Sequence, residues 1–309
     1  MKKYQLLWAM MAAMMLPLGF AACSSDDNEE DTTPYVYPTP AQKADAASYK
    51  VTNDGAATRS VVFGESGSVV LERAVQSSGV KAVTRATQGE EIVFLVGTYT
   101  KEGNVYTIFI NGQKWGTIEV VANADGSYIL IVTPVGKESE ETPAEKEKEV
   151  ATDATAEKLC RTWTPVATRV KLRKLLNGTQ LTSPLFNGCD FESIKQWAQE
   201  ESDCKISDDF GKDYTVKSIF FTSTGKFCID FTSGKNYYGT YAWKRLSETS
   251  GQLEYEWADL KTMGCSYEDG KATIDFKTGE YKGQCWLNLA ADIKSGSDTY
   301  HVEVSAHLQ

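Results

Sequence analysis

Histidine is almost missing from this 309-residue chain, which holds two, His301 and His307. On one strand, six residues of extended backbone would set their imidazoles about 20 Å apart, too far to share a metal or a proton. No Gly-x-Ser-x-Gly elbow leads into a helix, and no Cys-x-x-Cys pair offers zinc ligands. Clusters of basic residues are absent too, with 32 Lys+Arg against 42 Asp+Glu and a net charge of −10. A chain without a basic footprint is a poor fit to a phosphate backbone, so nucleic acid is not an expected partner. A pair of carboxylates of the glycosidase kind is the one catalytic arrangement that the sequence leaves open. Otherwise no enzyme activity, metal or cofactor is expected, and His301 with Glu303, Ser305 and His307 reads as a solvated outer strand face.

Long apolar runs are also scarce, and the one that stands out is at the N-terminus. Lys2 and Lys3 precede an apolar stretch from Leu6 to Phe20, and Ala21-Ala22-Cys23 follows, with charge soon after. That order marks residues 1–22 as a cleavable signal peptide. The cysteine resembles the lipid-modified first residue of bacterial lipoproteins, which implies attachment to the outer membrane through acyl chains on Cys23, palmitate among them. Two or three chains make such an anchor effectively permanent, at about 0.8 kcal/mol per buried methylene. Residues 23–45 then read as an acidic, Pro-rich tether, because Ser24 to Asp31 cannot bury apolar surface and Pro34, Pro38 and Pro40 favour extended chain. The acidic stretch resembles the export signal of Bacteroidota lipoproteins, and Asp31-Thr32-Thr33 resembles the O-glycosylation site of that phylum. The export signal implies display on the cell surface.

Beyond the tether the residues alternate with the period of strands. Val61–Phe63, Ser68–Leu71, Ile92–Val96, Val105–Ile110, Gly116–Val121 and Tyr128–Val132 form an N-terminal β module, residues 46–136. Asn111-Gly112 and Asp125-Gly126 are hairpin turns, and Ala74 to Gly89 reads as a loop. The polar run from Gly136 to Glu149 marks a charged linker, residues 137–156, with helix formers from Pro143 to Leu159.

Residues 157–309 form the second domain. Its first strand, Thr162 to Leu172, is followed by an insertion with one helix, capped by Asp190, whose Phe191, Ile194, Trp197 and Ala198 share a face. Strands then run at Tyr214–Phe221, Lys226–Thr232, Tyr237–Arg245, Gln252–Trp257, Lys271–Phe276, Gln284–Ile293 and Thr299–Leu308. The fold class is therefore all-β: two β domains, the second an up-and-down barrel of about eight strands with one inserted helix. Leu159-Cys160-Arg161-Thr162-Trp163, Phe221-Thr222-Ser223-Thr224-Gly225-Lys226-Phe227, Tyr238-Gly239-Thr240-Tyr241-Ala242-Trp243 and Leu253-Glu254-Tyr255 resemble the lipocalin-like domains of Bacteroidota lipoproteins. The resemblance implies a calycin-type barrel and no catalytic activity. Arg161 stands where the lipocalin pattern has Gly.

Such a barrel is either filled by side chains or wide enough for one small ligand. Strand parity turns Phe227, Ile229, Phe231, Leu253, Ile274, Leu287 and Val304 inward, and Tyr241, Trp243, Tyr255 and Trp257 are the candidate ligand-binding residues because their polar tips could orient a guest. The expected role is non-catalytic binding of a small apolar or glycan ligand. The alternatives are a subunit of a cell-surface complex with a packed barrel, and a carboxylate-dependent hydrolase. Six cysteines, Cys160, Cys189, Cys204, Cys228, Cys265 and Cys285, all fall in the second domain and allow either disulfides or buried thiols; a Cys189–Cys204 bridge across the helix is too long. Ser60 to Gly67 parallels Ser218 to Gly225, and Gly97-Thr98-Tyr99 parallels Gly239-Thr240-Tyr241, which duplication or convergent hairpin grammar explains equally well. Asn177-Gly178-Thr179 matches a glycosylation sequon, and Asp208-Asp209-Phe210-Gly211 mimics a kinase tripeptide; neither has the context that would give it meaning.

Overall fold

A computed structural model describes residues 38–76, 90–176, 178–204, 214–257, 270–279, 283–295 and 298–309. The signal peptide, Cys23, the acidic stretch, Asn177, Asp208 to Gly211 and Cys265 lie outside the described residues.

The first domain is a closed barrel of strands β1 (Ala47–Val51), β2 (Thr58–Phe63), β3 (Ser68–Gln76), β4 (Glu90–Glu102), β5 (Val105–Ile110), β6 (Gln113–Ala122), β7 (Tyr128–Pro134) and β8 (Glu140–Lys146). Each pairs antiparallel with the next, and β1 pairs with β8 to close the ring, Val51 opposite Ala144. Period-two alternation buries one face: Tyr106 and Ile108 on β5, Ile118 on β6, Leu130 and Val132 on β7. Asn111 and Gly112 both take positive φ, 52° and 74°, as the β5–β6 hairpin requires. Aromatic rings fill the interior, with Phe63 stacked on Tyr106 at 3.8 Å and meeting Tyr99 edge-on at 5.2 Å.

All six strands expected for this module are present, and two more complete it. The charged linker expected over residues 137–156 is corrected: residues 140–146 are β8, the strand that closes the barrel. The reason is chemical. Only the small Thr142 and Ala144 face inward, so apolar alternation hardly shows, while Glu140 is anchored by the Thr58 hydroxyl at 3.0 Å and by Arg73 at 3.6 Å. The tether is corrected at its end as well. Pro40–Asp45 forms helix α1, with Thr39 and Gln42 in a reciprocal capping box and Pro40 in its first turn. It is docked: Asp45 pairs with Lys101 at 2.9 Å, and its carbonyl accepts from the Tyr106 hydroxyl at 3.0 Å.

The second domain contains helix α2 (Ala156–Leu159), then β9 (Thr162–Trp163), β10 (Pro165–Lys174), β11 (Gln180–Thr182), β12 (Phe186–Asn187), helix α3 (Phe191–Glu201), β13 (Val216–Phe221), β14 (Lys226–Phe231), β15 (Asn236–Arg245), β16 (Ser250–Trp257), β17 (Gly270–Phe276), β18 (Cys285–Ser295) and β19 (Asp298–Leu308). From β13 to β19 each strand pairs antiparallel with its successor. At one end of the sheet β9 pairs with β13, and near the other β10 pairs with β19. Since Thr164 alone separates β9 from β10, the chain itself ties the two ends together and the sheet curls round. Above that tie β10 and β13 part, and the insertion fills the gap. There β11 and β12 pair with β10, Asp190 bridges to Thr215, and the Val216 N–H donates to the Cys189 carbonyl at 2.9 Å. Arg161, only 1% exposed, lies 3.4 Å from the ring centroid of Trp163, so a cation–π contact fills the place where Gly was expected.

Candidate functional site

The second barrel's interior is built by strand parity and completed by the insertion. Phe227 of β14, Leu253 and Tyr255 of β16, Leu287 of β18 and Val304 of β19 project inward, and Phe191 of α3 and Cys189 just before it close the space from the gap between β10 and β13. Together they line an apolar cavity of about 60 Å³, whose wall also includes Pro165, Val216, Ala272 and Ala306.

Helix α3 lies over this space for reasons written in its sequence. The Asp190 carboxylate accepts from the Glu192 N–H at 3.1 Å and the Ser193 hydroxyl at 2.7 Å, which satisfies the first turn. Phe191, Ile194, Trp197 and Ala198 are all buried, as the three- and four-residue spacing predicts, and Trp197 meets Phe186 of β12 edge-on at 6.5 Å. The far end is held by a polar cluster. Asp203 accepts from the Tyr300 hydroxyl and pairs with Lys174 at 2.9 Å, and Lys174 also holds Asp298 at 2.8 Å. Those two donors keep the Asp203 carboxyl below the usual carboxylate range.

Of the four candidate ligand-binding residues, Tyr241 and Tyr255 line the cavity. Trp243 does not: it shares their face but stands at the rim, where its indole N–H donates to Asp153 at 2.7 Å and its ring lies over Gly251. Trp257 pairs with Gly239 through its backbone, and its side chain lies outside the described residues. The Tyr241 hydroxyl is turned to structure, donating to the Thr222 carbonyl at 2.7 Å, and burial pushes both tyrosines well above their ordinary range. Cys189 and Phe191 were not among the candidates. Their signal was available, since a helix filling a break in a barrel wall places its first turn against the interior.

Cys160, Cys189, Cys204, Cys228 and Cys285 are buried thiols, and no disulfide joins them among the described residues. Burial pushes the Cys189 thiol up to about 11, so it is protonated and sluggish at neutral pH. The outer strand face expected for both histidines needs one correction. His301 does sit there, with Nδ1 2.7 Å from Asp292 and Nε2 3.7 Å from Glu303. His307 is buried instead, stacked on Trp286 with centroids 4.9 Å apart and 3.0 Å from Gln284.

Fold and site define a class: an all-β protein of two barrel-like domains, the second with an apolar interior closed by an inserted helix. No known protein family matches the chain, and no curated protein is significantly similar to it. Among solved structures it is similar to a Bacteroides fragilis protein described as an outer membrane protein, at 8% identity over 86% of this chain and 98% of that one, with a TM-score of 0.27. It is also similar to transferrin binding protein B of Haemophilus parasuis, at 9% identity over 82% of this chain and a TM-score of 0.23. The intact Ap-TbpB, with N and C lobes, gives 8% identity over 81% of this chain and a TM-score of 0.21. The chain spans about half the length of both transferrin binding proteins, 54% in each case. At these TM-scores the likenesses carry no functional meaning for this chain.

Proposed function

We propose that this chain is a lipid-anchored outer-membrane lipoprotein, displayed on the cell surface, that binds a small apolar ligand in its second barrel without catalysis. The anchor and display rest on Cys23 and the acidic residues behind it. The observation that carries the binding role is the apolar cavity walled by Phe191 and Cys189, at a break in the sheet that a separate helix covers. Of the two ligand classes that the sequence allowed, the apolar one suits this lining; a glycan would need hydrogen-bonding groups, and the lining is mostly hydrocarbon. A cavity of this character stays dry and gains by taking an apolar guest.

Its size favours the second reading, a packed interaction module. About 60 Å³ is less than half of the roughly 150 Å³ that accommodates benzene in an engineered apolar cavity. A ligand of that size or larger must push the lining apart. The two readings separate in a thermal-shift experiment on the mature chain with benzene, indole and alkanoic acids. If the second barrel binds, one of these raises the melting temperature, and Ala306→Val, which fills the cavity, removes the effect. Should none shift it, the packed module stands.

A further inference from the structure

The parallel between Ser60–Gly67 and Ser218–Gly225 is a geometric equivalence. In the first barrel the Tyr99 N–H donates to the Gly67 carbonyl at 2.8 Å and its hydroxyl to the Gly64 carbonyl at 3.0 Å. In the second the Tyr241 N–H donates to Gly225 at 2.7 Å and its hydroxyl to Thr222 at 2.7 Å. Gly67 and Gly225 turn with φ of 77° and 74°. By this correspondence Val62 and Val70 match Phe220 and Cys228, and these four residues with Tyr238 form the apolar seam where the outer faces of the barrels meet.

The contacts across the seam follow a two-fold rule, in which i touches j′ and i′ touches j. Ser48, opposite Val62 on β1, meets Thr224 at 2.5 Å. Thr162, opposite Phe220 on β9, donates its N–H to Ser66, the counterpart of Thr224, at 2.9 Å. Asn236 donates to the carbonyl of its own counterpart, Phe94, at 3.2 Å. Residues that touch their counterparts mark the axis, and Glu65 is another. It is 5% exposed, and its Oε1 accepts from the N–H of its counterpart, Ser223, at 2.8 Å. Its Oε2 is buried and has no hydrogen-bond partner among the described residues. The groups around it bring no compensating cation: Tyr99 from its own barrel, Cys160 and Tyr241 from the second, and Glu149 from the connecting segment. Lys43, felt at Cys160, is engaged by Glu157 at 3.3 Å.

We propose that Glu65 makes the joint between the barrels a proton-controlled clasp, closed when its carboxyl is neutral and loosened when it ionises. An ionised carboxylate at this depth leaves Oε2 without a hydrogen bond and meets no counter-charge among the described residues, and it regains water only if the seam opens. Burial raises the Glu65 carboxyl above its usual range, outweighing the Ser223 hydrogen bonds that lower it, and Glu149 raises it further. The closed joint therefore holds the proton more tightly than the open one. Its stability is greatest below the ordinary carboxyl value and falls as pH rises through the raised one.

Amide hydrogen exchange on the mature chain between pH 5 and 8, corrected for intrinsic rates, tests this at Ser223 and Thr162, whose N–H groups cross the seam. Opening at both should increase with pH, by up to about tenfold per unit over the titration. It should be flat in Glu65→Gln, which keeps an acceptor for Ser223, and the rise should move to lower pH in Glu149→Gln. The amides of Leu130 and Ile274, inside each barrel, should not follow. A wild-type profile that is flat, that is unchanged in Glu65→Gln, or that the interior amides share would overturn the proposal.

Discussion

Residue by residue, what a strand position can do depends on its face and also on its depth, and only the face has a period. Tyr241, Trp243 and Tyr255 all turn inward, yet Trp243 lies at the rim, because β15 runs past the packed interior before it ends at Arg245. Parity made the inward set legible in the sequence; nothing in it gave the depth. The indole of Trp243 ties the rim to the connecting segment through Asp153. Trp243→Phe should therefore cost about 1 kcal/mol in denaturant unfolding, the worth of one hydrogen bond, and leave apolar-probe affinity within about twofold. A large loss of affinity in that variant would return Trp243 to the cavity wall.

Among the elements, α3 was the most readable and β8 the least. A helix face with Phe191, Ile194, Trp197 and Ala198 announces itself, whereas a strand whose inward residues are Thr142 and Ala144 between glutamates reads as linker. α1 was hidden by its prolines, although Thr39 and Gln42 form a capping box that could have been found. The helix α3 is held at both ends, and each hold can be released. Asp190→Ala should destabilise the domain by about 1 kcal/mol through loss of the cap. Asp203→Asn should leave the cap intact and weaken the far end. Because the Asp203 carboxyl is depressed in the folded chain, its contribution is present above the ordinary carboxylate value and is lost as pH falls through the lowered one. Proteolysis of α3 should therefore accelerate in acid in the wild type and show no such pH step in Asp203→Asn. Equal pH dependence in the two would assign the tie to other contacts.

For the whole molecule, the all-β class and the outline of the second barrel were legible because seven of its strands follow one another along the chain as antiparallel neighbours. Closure of the first barrel was not, since it depends on β1 and β8, neither of which has an apolar run long enough to stand out. The joint was half-visible. The echo between Gly64–Gly67 and Thr222–Gly225 could be seen, but a one-dimensional comparison cannot show that the echoing faces touch. The proposed surface anchoring rests on Cys23. Cys23→Ser should abolish palmitate labelling and leave the precursor uncleaved at that site, and labelled mutant protein would refute the anchor. Replacing Asp26, Asp27, Glu29, Glu30 and Asp31 with Ala should protect the protein from protease added to intact cells; unchanged digestion would remove the case for display.

The central claim, that the second barrel accepts an apolar guest beneath α3, is tested most directly by methyl and aromatic NMR of the mature chain during titration with benzene and with alkanoic acids of increasing length. Leu253, Leu287, Val304 and Phe191 line the cavity, whereas Leu130 and Val132 lie in the other barrel and serve as the internal control. Binding beneath the helix should shift the first group in a saturable way, leave the control signals in place and disappear in Ala306→Val. If no probe moves Leu253, Leu287, Val304 or Phe191, or if both barrels respond alike without saturation, the binding role is contradicted and the packed interaction module replaces it.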